Sequence, residues 1–126
     1  MIVLDTSVLV SALCGDMKSE PAIREALTRG EQLLLPSLVL YEWLRGPRRP
    51  RELQTQEALL PSDRAVPFGS EEAAEAARLY RTVRRARGRE VDIAIAACAL
   101  VWEADLWTLN ASDFDDIPGL SVNVPG

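Results

Sequence analysis

Four acidic residues lie beside or inside apolar runs that are far apart along the chain: Asp5, Glu42, Asp92 and Asp113. An ionised carboxylate next to a hydrophobic core must be paired or must hold a metal ion, because removing its water without compensation is costly. No Lys or Arg stands within three residues of Asp5. If the fold brings these acids together, they form a negative cluster that a divalent cation would stabilise.

A cluster of carboxylates alone supports few kinds of chemistry. Carboxylate oxygens select hard cations, Mg²⁺ or Mn²⁺, which keep several waters and take one or two direct carboxylates each. Ions of this kind activate water and neutralise the charge of a phosphodiester during in-line attack. Histidine is absent from the chain, which excludes imidazole nucleases, His-dependent zinc hydrolases and Ser-His-Asp triads. The acids therefore favour hydrolysis by a metal-activated water.

Each acid also has a simpler interpretation that the sequence leaves open. Asp5 and Asp92 can cap the helices that follow them. Asp113 can belong to a turn, since its neighbours include several turn-forming residues. Glu42 has no capping role in mid-helix, but Arg45 follows it by three residues and can pair with it.

The acids are positioned by alternating short strands and helices. Apolar runs predict strands at residues 2–4, 33–35, 106–109 and 120–124, with a possible edge strand at 65–68. Helical spacing and breakers predict helices at residues 6–13, 20–29, 38–45, 51–60, 71–86 and 91–103, with Ser37 and Ser70 as N-caps. This alternation predicts one α/β domain over residues 1–126, with a small, mostly parallel twisted sheet flanked by helices.

The predicted topology suggests where the acids meet. In an open parallel sheet, ligands bind outside the carboxyl ends of the strands at a switch in strand order. Asp5 ends the first strand, whereas Asn110 and Asp113 follow the third. Asp92 opens a helix that packs back on the sheet, and Glu42 reaches the same edge from its own helix. Polar supports nearby are expected from Thr6, Ser7 and Asn110.

Composition limits the class of protein. The chain has 126 residues and a net charge of -5, and Lys18 is the single lysine among 14 basic residues. The arginines concentrate at residues 45–51 and 78–89, and arginine suits bidentate phosphate recognition. Cys14 and Cys98 lie in apolar helical patterns and suggest no disulfide framework. No apolar run approaches a membrane span, so we expect a cytoplasmic protein that does not contact the membrane.

Five segments together resemble the PIN-domain ribonucleases, and in order and length most closely the VapC-type toxins of toxin–antitoxin pairs. They are the strand and helix start at residues 1–10, the glutamate in the helix 38–45, Asp92 before an alanine-rich run, the segment 106–114, and residues 117–120. Each motif is common by itself, and their combination in this order covers essentially the whole chain.

The resemblance implies a Mg²⁺- or Mn²⁺-dependent endoribonuclease that acts on tRNA or ribosomal RNA, is held inactive by a cognate antitoxin, and forms a homodimer. It assigns catalysis to Asp5, Glu42, Asp92 and Asp113, and metal binding to all of these except Glu42. It leaves the fourth ligand open between Asn110 and Asp113.

The resemblance also implies that Thr6 or Ser7 orients Asp5 or a metal-bound water and that Asn110 is a polar member of the site. From the distribution of charge we expect four arginines to contact RNA or antitoxin: Arg45, Arg85, Arg87 and Arg89.

Two other classes of protein remain as alternatives. A catalytically silent PIN-fold binding module would keep the fold and act through protein partners alone. An aspartate-based phosphoryl-transfer domain would need a second acid next to Asp5 and a lysine after a later strand. Position 7 is Ser and Lys18 is the chain's one lysine, which argues against the phosphoryl-transfer class.

Overall fold

A four-stranded parallel sheet forms the centre of the protein in the computed structural model, which describes residues 1–126. The strands are β1 (Ile2–Leu4), β2 (Leu33–Leu34), β3 (Asp105–Trp107) and β4 (Val122–Asn123). Their spatial order is β2-β1-β3-β4, and every pair is parallel. The α/β prediction with a small parallel sheet is confirmed.

The strand order reverses direction at β1. The chain runs from β1 to β2 on one side of the sheet and then returns to place β3 on the other side, with Leu4 in register with Trp107. The carboxyl ends of β1 and β3 therefore lie side by side at the switch point, where open α/β sheets bind ligands.

Six α-helices surround the sheet. They are α1 (Thr6–Leu13), α2 (Glu20–Thr28), α3 (Ser37–Arg45), α4 (Pro50–Leu59), α5 (Ser70–Thr82) and α6 (Glu90–Val101). α6 is apolar on nearly all sides, and seven consecutive residues of it, 93–99, are buried. It packs against α5, α3 and the two central strands. This enclosure fixes the direction of its first turn, which carries Asp92.

The boundaries of several elements differ from the predicted ones for local reasons. Ser37 and Ser70 are the first residues of their helices, and the N-cap positions belong to Pro36 and Gly69. At Gly69 the side chain of Glu72 accepts a bond from the backbone N–H and closes the helix start. α5 ends at Thr82, four residues earlier than predicted, because Val83 takes an extended conformation.

The predicted edge strand at residues 65–68 is reduced to a single bridge between Pro36 and Val66. Pro67 removes the next N–H donor of a ladder, as expected for a proline at a sheet edge. Cys14 and Cys98 are both free thiols. None of the helices has the length and apolar character that a membrane span requires.

Candidate active site

Asp5 is a buried carboxylate with only 5% of its surface exposed. It is the N-cap of α1, and its Oδ1 accepts a bond from Thr6 N at 2.9 Å. Its Oδ2 accepts bonds from Ser7 Oγ at 2.9 Å and from Thr108 Oγ1 at 2.8 Å. Three donors on one carboxylate fix its orientation. Capping, the simpler interpretation, and a place in the site are both realised by the same side chain.

Two hydroxyl groups connect Asp5 to the loop after β3. Ser7 Oγ accepts a bond from Leu109 N at 3.0 Å while it donates to Asp5. Thr108 Oγ1 accepts a bond from Asn110 N at 3.0 Å while it also donates to Asp5. Each hydroxyl uses its donor for the acid and its lone pair for a backbone N–H, so the loop and the acid position each other.

Glu42 lies on α3 and reaches the same place from the side. Thr6 Oγ1 donates to its Oε1 at 2.6 Å, so α1 and α3 meet at this pair. Its Oε2 is 3.7 Å from an Nη of Arg45, a long contact to a largely exposed guanidinium. The pairing with Arg45 that the sequence allowed is therefore present but loose, and Arg45 also lies over the ring of Tyr41.

Asp92 stands in the first turn of α6 and no hydrogen bond holds its carboxylate. Burial, together with the charges of Asp5, Asp113 and Glu42, raises the pKa of Asp92 from its ordinary value of 3.8 to about 6, and the Arg89 guanidinium opposes this rise. All three other predicted acids are thus close enough to Asp92 to disfavour its charge. The cluster is electrostatically unsatisfied in the absence of a cation.

Asp113 is the most exposed of the four acids. It ends a single turn of 3₁₀ helix, Ala111–Asp113, whose N-cap is Asn110. Asp113 N donates to Asn110 O at 2.9 Å. The Asn110 side chain is exposed and makes no hydrogen bond within the protein, so it joins the site through its backbone.

No three acidic, histidine or cysteine side chains lie close enough together to ligate one ion directly. The charges of Asp5, Asp113 and Glu42 nevertheless act together on Asp92. Mg²⁺ and Mn²⁺ usually take one or two direct carboxylates and keep waters toward the others, and the donors present are all oxygens. The chemistry of this donor set fits a hard cation.

The predicted arginines fall into two groups. Arg85 and Arg87 are exposed, form no ion pair, and belong to the loop between α5 and α6, where Arg85 has a positive φ of 56°. Arg89 is different, because its guanidinium is bonded to both carboxylate oxygens of Asp116 at 2.7 and 2.9 Å. These bonds lower the pKa of Asp116.

Thr108 is the site residue that the sequence analysis missed. It is fully buried and donates to Asp5. A signal was present, since Thr108 is a hydroxyl residue in the otherwise apolar run 106–109, directly after β3. The pairing with Asp5 depends on the neighbouring positions of β1 and β3, which the run alone does not reveal.

Comparison with known proteins identifies the fold. Residues 2–120 match the sequence profile of the PIN domain. The chain belongs to the PIN domain family. This PIN domain is also 34% identical over 122 residues to ribonuclease VapC19 of Mycobacterium tuberculosis, and the match covers 95% of this chain and 97% of that relative. The resemblance to PIN domains of the VapC type is confirmed.

Solved structures show the same architecture at lower identity. The toxin–antitoxin assembly VapBC2 of Rickettsia felis, bound to a promoter DNA fragment, matches with a TM-score of 0.74 and 21% identity over the full length of both chains. DNA-bound VapBC of Salmonella typhimurium matches with a TM-score of 0.75 and 19% identity, covering 98% of this PIN domain and 96% of that chain. At these identities the likeness concerns the fold.

Proposed function

We propose that this PIN domain is a Mg²⁺- or Mn²⁺-dependent endoribonuclease, the toxin of a type II toxin–antitoxin pair, which hydrolyses phosphodiester bonds of RNA. The observation that carries the proposal is the shared electrostatic environment of Asp5, Glu42, Asp92 and Asp113 at the switch point of the sheet. The 34% identity to a ribonuclease supports the same chemistry.

The proposed metal-binding residues are Asp5, Asp92 and Asp113, with Asn110 as the alternative to Asp113; one or two of them would bind the ion directly and the others through its waters. When bound, the ion supplies an activated water and neutralises charge on the scissile phosphate. Asp5 offers a carboxylate that three donors already hold in one orientation, so little ordering remains to be done on binding. The Asp92 carboxylate has no hydrogen-bond partner, and a cation at the cluster would reduce the repulsion from the neighbouring acids.

Glu42 is proposed to act on the proton rather than on the metal. Its Oε1 is held by Thr6 at 2.6 Å, which leaves Oε2 beside the loose contact with Arg45. A carboxylate oxygen with one free face can accept the proton of the attacking water. The leaving group is then the 3′-oxygen of the RNA strand.

The proposed substrate is structured RNA of the tRNA or ribosomal RNA class. The net charge of -5 does not favour general binding to polyanions, so phosphate contacts must come from a local basic surface. The exposed, unpaired guanidinium groups of Arg85 and Arg87 provide one at the end of the loop that leads into α6. Arg45 is a further proposed contact beside Glu42.

A cognate antitoxin and a second copy of the chain are the proposed protein partners. The antitoxin is suggested by the toxin–antitoxin assemblies that share this fold. The second copy is suggested by an apolar groove between α3, α5 and α6, where Tyr80 and Val91 are about 40% exposed. Arg81 and Glu90 lie in the same groove, so a two-fold axis would pair each with its opposite on the other copy.

Cleavage of RNA by the purified protein is the direct test. Total tRNA and ribosomal RNA are incubated with protein in Mg²⁺, Mn²⁺ or EDTA, beside Asp5→Asn and Asp92→Asn and the matched control Asp115→Asn, an exposed acid of the next turn. We expect cleavage by the wild type and the control in the presence of metal only. Equal cleavage by wild type and both site variants would contradict the proposal.

A catalytically silent binding module is the second candidate, and one observation favours it. No three acids are placed to ligate an ion directly. Thermal unfolding with and without Mn²⁺ separates the two, because a ligand specific to the native state raises the midpoint. A raised midpoint that Asp5→Asn abolishes supports the nuclease, and an unchanged midpoint supports the binding module.

The dimer is tested by charge reversal in the groove. Light scattering after size exclusion gives the mass of the wild type, of Arg81→Glu, of Glu90→Arg and of the double variant. We expect each single reversal to weaken the dimer and the double variant to restore it. A monomeric wild type at high concentration would end this part of the proposal.

A further inference from the structure

Arg89 is not placed as an arginine that binds phosphate would be. It is the N-cap residue of α6, three positions before Asp92, and its side chain is only 23% exposed. The neighbouring arginines of the loop are exposed. Its guanidinium is directed along the surface toward the turn that follows β3.

The bonds of this guanidinium use nearly all of its donors. Nη1 donates to Asp116 Oδ2 at 2.9 Å and to Arg84 O at 3.3 Å. Nη2 donates to Asp116 Oδ1 at 2.7 Å and to Asp113 O at 2.9 Å. An arginine has five N–H donors, and only Nε–H is left without a partner. No pair of free N–H donors remains for bidentate contact with a phosphate.

The two elements that Arg89 joins are those that carry Asp92 and Asp113. Asp92 belongs to α6 and is oriented by the packing of that helix. Asp113 belongs to a single 3₁₀ turn on the surface, and its backbone carbonyl is one of the groups that Arg89 holds. Asp116, three residues later in the same segment, forms the ion pair that fixes the orientation of the Arg89 guanidinium.

We propose that Arg89 is a positioning residue, which holds the Asp113 turn against the first turn of α6 so that the two acids face the same space. The proposal rests on the function proposed above for its catalytic consequence. It replaces the expectation of a phosphate contact for Arg89 and leaves that role to Arg85 and Arg87.

The geometry explains why arginine is needed. The planar fork reaches two carboxylate oxygens and a backbone carbonyl at once, whereas a lysine ammonium in the same place is a point charge that cannot span them. Arg89→Lys keeps the positive charge and loses the planar guanidinium, whereas Arg89→Gln loses both. The matched control is Arg24→Lys, which changes an arginine that pairs with Glu20 on the surface of α2.

Amide hydrogen exchange tests the positioning role without any catalysis. The amides of Asp113 and Phe114 are bonded within the turn, and Leu9 in α1 serves as an internal reference. We expect Arg89→Lys to speed exchange at the turn about 10-fold or more while Leu9 is unchanged, because the turn opens locally without its clamp. Unchanged exchange at the turn would overturn the proposal.

Steady-state kinetics give the second readout. Misplacing a catalytic group by about 1 Å can cost about 100-fold in rate, so we expect kcat to fall by that order in Arg89→Lys with KM and its salt dependence unchanged. A raised KM at unchanged kcat, with a shallower salt dependence, would show a phosphate ligand instead. Asp116→Asn, which leaves Arg89 in place, should reproduce part of the loss and covers the case in which the arginine variants fail to fold.

The two readouts separate this proposal from the function on which it rests. A wild type without RNA cleavage would refute the nuclease, and the exchange experiment would still decide whether Arg89 holds the turn. A wild type that cleaves RNA, together with variants of normal kcat and normal exchange, would refute the positioning role alone.

Discussion

Replacing Asp92 by asparagine should make the metal-free protein more stable while it removes the proposed metal ligand. The Asp92 carboxylate makes no hydrogen bond, and its charge faces three other acids, so its ionisation opposes folding. Asparagine has nearly the same shape and no charge. The substitution therefore removes a repulsion and leaves the packing of α6 intact.

The magnitude follows from the pKa. Burial and the neighbouring charges raise the pKa of Asp92 from 3.8 to about 6. At 1.36 kcal/mol per pKa unit, this rise corresponds to about 3 kcal/mol of folding free energy. Asp92 is partly exposed, so solvent screening reduces the value to about 1–2 kcal/mol. Loss of a negative charge at a helix N-terminus costs about 0.3–1 kcal/mol. A net gain of about 1 kcal/mol remains.

The gain in stability from Asp92→Asn should decrease as the pH is lowered. Between pH 3.8 and about 6 the folded wild type holds a proton on Asp92 that the unfolded chain has released, so lowering the pH through 6 stabilises the wild type relative to the variant. The difference between the two proteins is therefore largest above pH 6 and disappears near pH 4. Comparing the two proteins cancels the titration of the carboxylates that do not interact with Asp92.

Urea unfolding in EDTA at several pH values measures this difference directly, and thermal unfolding should show a rise of about 3–6 °C for Asp92→Asn at pH 8. Asp115→Asn, an exposed acid, is the control and should change little. In Mn²⁺ the order should reverse, because only the wild type gains from the ion. A variant that is less stable than wild type in EDTA at pH 8, or a difference independent of pH, would refute the reasoning.

Three further results are expected. Thr108→Val should lower the free energy of unfolding by about 1–3 kcal/mol in urea titrations, since a buried carboxylate loses one of three donors; stability equal to wild type would mean that the bond contributes nothing. Mn²⁺ at about 100 times its dissociation constant should stabilise the wild type by about 2.7 kcal/mol in thermal shift and should not stabilise Asp5→Asn; an equal shift in both would place the ion elsewhere. Arg85→Gln and Arg87→Gln should each reduce the salt slope of RNA binding by about 1, and a slope equal to wild type would remove that residue from the interface.

Several elements could be predicted because their signals are local. Residues 2–4 are apolar and branched and are followed by an acid and hydroxyls, so β1 and the start of α1 were placed correctly. α3 was located by its apolar spacing and the glycine and proline after it. The end of α5 could not be placed, because Val83 leaves the helix to form the loop into α6, and nothing in residues 83–86 signals that change.

The residues of the candidate site also divide into those that the sequence could predict and those that it could not. Asp5, Glu42 and Asp92 stood out because each lies beside or inside an apolar run, and the charges of Asp5, Glu42 and Asp113 act on Asp92 in the fold. The role of Arg89 could not be found in the same way. Its partner Asp116 is 27 residues away, and a run of arginines before a helix gives no sign of which one turns inward.

The amino-acid sequence by itself determined the alternation of strands and helices, the all-oxygen character of the candidate ligands and the absence of imidazole chemistry, because periodicity and residue type act over a few neighbouring positions. The tertiary structure alone decided that β1 and β3 are neighbours, that Thr108 serves Asp5, and that Arg89 holds the Asp113 turn. These contacts join residues up to 103 positions apart. Their formation depends on how the whole core packs, and no local pattern encodes that.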